Sequence, residues 1–380
     1  MTRSLSVLLA GGGSAGHVNP LLATADALAE MAPQLQLDMR QTVLGTAEGL
    51  EARLVPAAGY ELRTVPKVPL PRRPDSTVVR FPRAMRTALA GARQAVQEVA
   101  ADVVVGFGGY VSTPAYLAAR RAGVPIVVHE QNARPGLANR LGARFTPHVA
   151  VTFPTTRLPH ATVIGLPMRR EISELDRGAL REEACVHFGL APEATTLLVF
   201  GGSLGAARLN DAFAAAAGDL VGAGVQVLHL TGAGKPVRPA LPEGSGPAGA
   251  PRVPYVAVEY TDRMDLALSV ADLAVCRAGA GTVSELSAVG LPAIYVPLPI
   301  GNGEQQLNAL DVVTAGGGRL ARDEEVDPAW VRDQVLPLAR DTDALRVMSR
   351  AAAAVGTRDA DTRLARMVLA AAGVVTDRGA

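Results

Sequence analysis

The stretch LSVLLAGGGSAGHVNPLLATADALAEM, residues 5–31, decides the fold. Residues 5–10 are a short apolar run of the kind that forms a buried parallel strand, and residues 18–31 repeat apolar positions at helical spacing. The glycines between these two runs allow the tight turn by which a strand passes into a helix. The order strand, glycine loop, helix predicts the opening of a doubly wound α/β domain.

A second copy of this arrangement occurs later in the chain. Residues 196–217 read TLLVFGGSLGAARLNDAFAAAA, with GGSLG in the place of GGSAG at residues 12–16. Each half also has a later strand that meets glycines, at residues 103–115 and 273–286. We therefore predict an α/β fold of two Rossmann-like, doubly wound domains, which bind ligands at the carboxyl ends of their strands. Strands and helices alternate to about residue 296, and helical patterns dominate residues 305–372.

The domain boundary is predicted from a short Gly- and Pro-containing segment. Residues 163–167, VIGLP, have the composition of an interdomain hinge. We assign residues 1–164 to an N-terminal domain and residues 165–357 to a C-terminal domain. A helix within residues 358–380 is a candidate to complete the first domain, an assignment that periodicity alone leaves open.

Composition excludes several classes of protein. The 380 residues are 48% hydrophobic but only 4% aromatic, which suits helices of Ala, Leu and Val packed on parallel strands. A net charge of +1 argues against a nucleic-acid partner. Two distant cysteines indicate a reducing compartment without a disulfide framework or zinc site. With no signal peptide and no spanning apolar stretch, we expect a cytoplasmic protein whose membrane contact is peripheral.

The first glycine loop has two readings. Gly11, Gly13 and Gly16 satisfy the dinucleotide pattern G-x-G-x-x-G, but Asp38 lies near the start of the second strand rather than at its end, where a ribose-binding acid belongs. Glycines needed only for close helix packing are the alternative. His17 falls in the first helical turn, where the macrodipole favours a neutral ring. It is therefore a candidate general base, with a structural histidine as the other reading.

The second half contains the features expected of a nucleotide diphosphate site. In GAGTVSE, residues 279–285, backbone amides and the Thr282 hydroxyl would face an anion at a helix start. Glu285 could accept a hydrogen bond from a ribose diol or simply be a favourable first-turn acid. Residues 201–205 form a second anion cradle. The amides of GEQQLNA, residues 303–309, suit sugar hydroxyls, although an ordinary polar helix start has the same composition.

Residues 66–86 combine basic and apolar side chains. The arginines at positions 72, 73, 80, 83 and 86 alternate with Val78, Val79, Phe81 and Met85. This pattern fits a helix lying on anionic lipid, and equally a solvated arginine face over a core-facing stripe.

Together these motifs resemble the MurG family, bacterial transferases that move N-acetylglucosamine from UDP-N-acetylglucosamine (UDP-GlcNAc) onto lipid I to form lipid II of peptidoglycan. The resemblance covers nearly the whole chain. Six motifs occur in order: GGSAGH (12–17), GFGGYVSTP (106–114), HEQN (129–132), GGSLGA (201–206), CRAGAGTVSE (276–285) and EQQLNA (304–309).

The resemblance implies a GT-B fold, with two domains facing across a cleft, acceptor on the first and UDP-GlcNAc on the second. It places His17, Tyr110 and Asn132, together with Gly13, on the acceptor side. Glu130 is the substitute for His17 as the candidate general base. The residues implied in binding UDP-GlcNAc are Ser14, Gly16, His17, Asn132, Arg169, Ser203, Tyr260, Thr261, Met264, Ala280, Gly281, Thr282, Glu285, Glu304, Gln305 and Gln306.

Two positions depart from the family pattern. Leu166 stands between Gly165 and Pro167 where the family has Asn, so a polar contact is lost, while Arg169 still matches. Counting back from Asn308, the two sugar-binding positions of the family pattern fall on Glu304 and Gln305 instead of on Gln305 and Gln306.

The implied reaction is a single inverting displacement by the 4-hydroxyl of the lipid-linked muramyl sugar, giving a β-1,4 linkage and UDP. We expect no cofactor and no dedicated metal site, although a divalent metal is allowed as an activator. Expected partners are UDP-GlcNAc, lipid I, an anionic membrane surface, and cell-wall or division proteins. These partners imply a location on the cytoplasmic face of the bacterial cell membrane. They also imply a role in cell shape and division. The alternatives are another GT-B UDP-sugar enzyme (a glycolipid transferase or a UDP-GlcNAc epimerase), a nicotinamide oxidoreductase, and a sugar-nucleotide sensor without turnover.

Overall fold

The computed structural model describes residues 3–68, 76–202, 205–241, 253–299 and 302–374, and for residues 76–80 it describes the backbone only. The chain divides into two compact units. The first consists of Met1–Arg169 with Arg358–Ala380, and the second of Arg170–Thr357. The division therefore falls after the boundary predicted at residue 164, because residues 165–169 stay with the first unit.

The first unit contains a parallel sheet of seven strands in its described part, in the order β3-β2-β1-β4-β5-β6-β7. Its elements along the chain are β1 (Arg3–Ala10), α1 (Ala15–Gln34), β2 (Leu37–Gly45), α2 (Glu51–Ala57), β3 (Glu61–Thr64), α3 (Ser76–Glu98), β4 (Val103–Gly106), α4 (Ser112–Ala122), β5 (Ile126–Glu130), α5 (Leu137–Gly142), β6 (His148–Val151) and β7 (Ala161–Val163).

Strand β1 shows why this sheet is covered on both faces. Leu5, Val7 and Leu9 belong to one core cluster, whereas Leu8 and Ala10 belong to another. Because successive side chains of a strand point to opposite faces, both faces must be buried under helices. The predicted α/β class and doubly wound sheet are confirmed.

The second unit has a parallel sheet in the order β10-β9-β8-β11-β12-β13 in its described part. Its elements are α6 (Arg170–Ser173), α7 (Arg177–Phe188), β8 (Thr195–Phe200), α8 (Ala207–Ala215), α9 (Ala217–Gly222), β9 (Val225–Leu230), β10 (Tyr255–Val258), α10 (Met264–Val270), β11 (Leu273–Cys276), α11 (Ala280–Ala288), β12 (Ala293–Tyr295), α12 (Glu304–Asn308), α13 (Leu310–Thr314), β13 (Gly318–Leu320), a 3₁₀ turn (Asp323–Glu325), α14 (Pro328–Trp330), a π-helical turn (Val331–Val335), α15 (Leu336–Arg340) and α16 (Thr342–Val355).

The last helix, α17 (Ala360–Ala371), is part of the first unit. Leu364, Val368 and Leu369 are fully buried in the core cluster that contains β1. The Arg3 guanidinium donates to the carbonyl oxygens of Ala372 and Gly373, both at 3.0 Å, and so satisfies the end of the helix. Hydrophobic burial and capping together dock the C-terminal helix on the first sheet.

No helix in the described part of the chain is long and apolar enough to cross a membrane. In α3, Arg83 and Arg86 are exposed, while Phe81 and Met85 are half-buried. Arg72 and Arg73 lie outside the described residues, as do the side chains of Val78, Val79 and Arg80.

Candidate active site

The carboxyl ends of β1 and β4 bring two glycine segments together in the first unit. Tyr110, 37% exposed, follows β4, and a Cβ placed on Gly13 would lie 3.8 Å from its ring. The Lys67 ammonium lies 5.2 Å from the centroid of the same ring. An exposed aromatic ring and a cation therefore adjoin the glycine loop, and Lys67 is a candidate that the sequence motifs did not identify.

His17 is half-buried in the first turn of α1. Its Nδ1 lies 2.9 Å from the Ser14 hydroxyl, and a Cβ on Gly108 would approach the ring to 3.2 Å. Burial lowers the pKa of His17, while the Glu51 carboxylate and a hydrogen bond to the Gly12 backbone partly oppose that shift. The direction agrees with the sequence prediction, but desolvation rather than the helix macrodipole is the main cause. A neutral ring can accept a proton.

Glu51, at the start of α2, lies beneath the glycine loop and was not identified from the sequence. It is fully buried and accepts hydrogen bonds from the backbone N–H of Gly13 (2.8 Å) and of Thr46 (2.9 Å), and from the Thr46 hydroxyl (2.7 Å). These hydrogen bonds outweigh desolvation, so the pKa of Glu51 is lowered. The first loop is therefore held by an internal carboxylate.

Glu130, the substitute base, ends β5 and is only 2% exposed. Its oxygens accept from the backbone N–H groups of Asn132 and Gly136 and from Asn139 Nδ2, each at 2.9 Å. Burial raises the pKa of Glu130, and these hydrogen bonds oppose the shift. A carboxylate so enclosed organises the loop at residues 131–136, which makes it a poorer candidate base than His17.

The segment after β7 is held by a buried histidine. His129 Nε2 donates to the Gly165 carbonyl oxygen at 3.1 Å, because a carbonyl can only accept. Leu166 is 4% exposed, so an apolar side chain is buried at the position where the family has a polar residue. Arg169 is exposed at the end of this segment.

In the second unit, α11 begins at Ala280, within the segment 279–285 where a helix start was predicted. The first intrahelical bond runs from Val283 N–H to the Gly279 carbonyl, so the three preceding amides point beyond the helix end. A Cβ on Gly281 would meet no atom within 4 Å, which shows open space there. Thr282 and Glu285 are half-buried in the first turns. This is the geometry of an anion site at a helix N-terminus.

Gln305 joins this helix start to the neighbouring loop. Its Oε1 accepts from the backbone N–H of Ala278 at 3.2 Å and of Leu298 at 2.9 Å, and Asn308 Nδ2 donates to the Ala278 carbonyl at 3.2 Å. Since both backbone groups are donors, the amide orientation is fixed and Nε2 is the end left to contact a substrate. Glu304 is half-buried and Gln306 is exposed.

Arg277, beside this loop, has a mainly structural role. It donates to the carbonyl oxygens of Val296 (3.1 Å) and Pro297 (3.4 Å) and pairs with Asp323 at 2.6 Å. The arginine of the CRAGAGT motif thus anchors the chain after β12.

The other implied donor-site residues lie on loops at strand ends or in first helical turns. Tyr260 is 66% exposed after β10, and the Thr261 hydroxyl accepts from Arg263 N–H at 3.1 Å. Met264 begins α10 and is half-buried. Ser14 and Gly16 are exposed at the start of α1, whereas Ala280 is 7% exposed. Ser203 lies outside the described residues.

Within the described residues, no group of three or more His, Cys, Asp or Glu side chains could hold a metal ion. Two Asp-x-Asp triplets occur, at residues 341–343 and 359–361. Their acids serve helices: Asp341 caps α16 through Ala344 N–H at 2.9 Å, and Asp359 pairs with Arg363 at 2.9 Å. Neither triplet follows a strand of the candidate site.

Comparison with known proteins finds matches over both units of the chain. Residues 7–151 match the N-terminal domain of glycosyltransferase family 28, and residues 196–364 match its C-terminal domain. A UDP-N-acetylglucosamine–N-acetylmuramyl-(pentapeptide) pyrophosphoryl-undecaprenol N-acetylglucosamine transferase from Nocardioides sp. is 55% identical, covering 96% of this chain and 98% of the relative. The transferase of the same name from Streptomyces coelicolor is 53% identical, covering 96% and 97%.

A solved structure shows the same fold. The crystal structure of Acinetobacter baumannii MurG matches with a TM-score of 0.75 at 26% identity, covering 97% of this chain and 99% of that one. The two-domain, Rossmann-like GT-B architecture is therefore confirmed.

Proposed function

This chain belongs to the MurG family of glycosyltransferase family 28, and from that premise we propose how its residues transfer N-acetylglucosamine from UDP-GlcNAc to the lipid-linked muramyl acceptor, lipid I, forming lipid II for peptidoglycan synthesis. The observation that carries the function is identity of 53–55% over nearly the full length of curated transferases of this activity. Another GT-B UDP-sugar enzyme is not favoured, because these relatives share one donor and one acceptor in their name.

The second unit supplies the donor site in this proposal. The amide groups at the start of α11 and the Thr282 hydroxyl contact the diphosphate, and Glu285 accepts from the ribose. The Nε2 of Gln305 donates to a hydroxyl of the N-acetylglucosamine, because its Oε1 is already held by Ala278 and Leu298. Tyr260 to Met264, after β10, contact the uracil. Positive electrostatic potential at the helix start stabilises the negative charge that develops on departing UDP.

The first unit supplies the base and the acceptor side. The acceptor 4-hydroxyl oxygen attacks the anomeric carbon of the donor sugar, the bond from that carbon to the UDP oxygen breaks, and His17 takes the hydroxyl proton. Gly13, Tyr110 and Asn132 contact the acceptor, and Lys67 adds a cation beside them for its pyrophosphate. In this proposal no cofactor takes part, and the part of the chain that the structure describes has no group of His, Cys, Asp or Glu side chains that could hold a divalent metal.

Membrane association belongs to the same proposal. The exposed Arg83 and Arg86 of α3 favour peripheral contact with anionic lipid on the cytoplasmic face, where the lipid-linked acceptor lies.

The experiment that tests the function measures UDP release from UDP-GlcNAc with and without a short-chain lipid I analogue. Acceptor-dependent UDP release, with a disaccharide product detected by mass spectrometry, is expected. UDP-GlcNAc consumption that is independent of the acceptor would instead indicate an epimerase or a hydrolase. UDP-GlcNAc binding without any turnover would indicate a sensor.

A further inference from the structure

We propose that Glu51 is a positioning residue of this active site, a role that rests on the function proposed above: its buried carboxylate fixes the first glycine loop and supplies the negative charge that supports His17 as the base. Glu51 does not itself contact the reacting atoms in this proposal. It acts through the loop and through the histidine ring.

The chain makes room for this carboxylate with three glycines. A Cβ on Gly12 would lie 2.3 Å from Glu51 Oε1, one on Gly49 would lie 2.1 Å from Oε2, and one on Gly45 would lie 2.6 Å from Cγ. Any side chain at these positions would displace Glu51 or the backbone around it. Gly12 lies in the first glycine loop, whereas Gly45 ends β2 and Gly49 lies in the loop after it. What the three glycines share is the space that they leave for one acidic side chain.

The carboxylate also takes up one of the backbone amides that a phosphate would use in a dinucleotide fold. The Gly13 N–H, one of the loop amides that hold a pyrophosphate in such folds, donates to Glu51 instead, at 2.8 Å. A second anion at that amide would be repelled by Glu51. The first loop therefore presents His17 with one of its backbone amides already bound to an internal carboxylate.

The surroundings of His17 make Glu51 the charge that acts on it. On the β4–α4 loop, Gly108 adjoins both the His17 ring and Asn139 of α5, and neither Gly108 nor Asn139 adds a formal charge. The titratable groups on adjoining loops include Tyr110, which packs with Lys67, and Glu130, which is bound by Asn139. Glu48 and Arg134 also lie on these loops, and both are exposed. Burial lowers the pKa of His17, and the Coulomb attraction of Glu51 opposes this shift. When His17 accepts the hydroxyl proton, the same charge stabilises the imidazolium that forms.

The test compares Glu51→Gln, which removes the charge, with Thr46→Val, which removes one hydrogen bond to the carboxylate but keeps its charge. Titration of the His17 ring is followed by NMR, with its signal assigned from His17→Ala, so the readout does not depend on turnover. In Glu51→Gln the His17 titration and the acidic limb of the pH–rate profile both move to lower pH, and turnover falls by roughly 10-fold. In Thr46→Val the titration stays close to that of the wild type.

Equal shifts in both variants, or no shift in Glu51→Gln, would overturn the proposal and leave Glu51 as a purely structural residue. If Glu51→Gln does not fold, Glu51→Asp takes its place in the test, because the shorter side chain moves the charge away by one methylene. An unchanged His17 titration in Glu51→Asp would then contradict the proposal. Failure of this proposal and failure of the proposed function can be distinguished. Wild-type protein that forms no disaccharide refutes the proposed function, whatever the His17 titration shows.

Discussion

Gln305 Oε1 accepts a hydrogen bond from the Ala278 backbone N–H at 3.2 Å, which ties the start of α12 to the end of β11. The same oxygen accepts from Leu298 N–H, so three segments meet at one side-chain amide. This contact places a sugar-binding candidate beside the N-terminus of α11, and it distinguishes Gln305 from Gln306, which is exposed.

Replacing Gln305 with Leu should reduce both stability and donor binding. The substitution leaves two backbone N–H groups without their acceptor, which costs about 1–3 kcal/mol for each buried group that water does not reach. Urea unfolding and calorimetric titration with UDP-GlcNAc measure the two effects. Gln306→Ala is the matched control and should change neither quantity. Loss of donor affinity in Gln306→Ala with normal affinity in Gln305→Leu would shift the sugar-binding register by one residue.

Removing the carboxylate of Glu285 should weaken UDP binding. A hydrogen bond from a ribose hydroxyl to a charged acceptor contributes about 1.5–3 kcal/mol, so Glu285→Ala should raise the dissociation constant for UDP by roughly 10- to 150-fold. Glu182→Ala, on the exposed surface of α7, controls for loss of negative charge. Unchanged UDP affinity in Glu285→Ala would mean that Glu285 does not bind the ribose and is only a favourable acid near the start of α11.

Removing the His17 imidazole should abolish most turnover without unfolding the chain. A positioned general base contributes roughly 100- to 10,000-fold in rate, so His17→Ala should lose that factor while it keeps UDP-GlcNAc affinity. Glu130→Gln should mainly lower stability, because three donors would then face a neutral amide. Steady-state kinetics with a lipid I analogue separate the two. Near-normal turnover in His17→Ala, with a large loss in stably folded Glu130→Gln, would make Glu130 the base.

The sequence predicted much of this arrangement, and the exceptions have physical causes. Strand β1 and both glycine loops follow from local patterns of apolar residues and glycines. Strands β7 and β13 have three residues each, too few for a period-2 pattern to differ from its surroundings. Glu51 was missed because its partner Gly13 is distant in the sequence. The signal that could have found it is an acidic residue closely following Gly45 and Gly49, two glycines whose missing side chains make room for the carboxylate.

Acidification should destabilise the chain through its buried histidines. Burial lowers the pKa of His129 and of His229 to about 4, from the ordinary value of 6.5. Stability is therefore fully present above pH 6.5 and falls as the pH drops towards 4, because the unfolded chain binds protons that the native chain does not. Each histidine contributes up to about 1.4 kcal/mol per pH unit in that window.

Urea unfolding across this pH window measures the effect. His229→Gln should flatten the dependence, whereas exposed His187→Gln should leave it unchanged. A wild-type unfolding free energy that is constant through the window would contradict the neutral, buried state of both rings.

Charge reversal on α3 should weaken membrane binding. Arg83→Glu with Arg86→Glu should reduce sedimentation with anionic liposomes, because each arginine near such a surface contributes on the order of 1 kcal/mol. Added salt should release the wild type, since it screens exposed charges. Arg350→Glu, at an exposed position of α16, is the matched control. Undiminished binding by the α3 variant would assign those arginines to an ordinary solvated helix face.

The most direct test of the central claim follows wild-type protein with UDP-GlcNAc and a lipid I analogue by NMR, so that the linkage and anomeric configuration of the product are read together with UDP. Single inverting transfer predicts equal amounts of UDP and of a disaccharide in which N-acetylglucosamine is joined β-1,4 to the muramyl sugar. An α-linked product, or an epimerised UDP-sugar formed without the acceptor, would contradict the account.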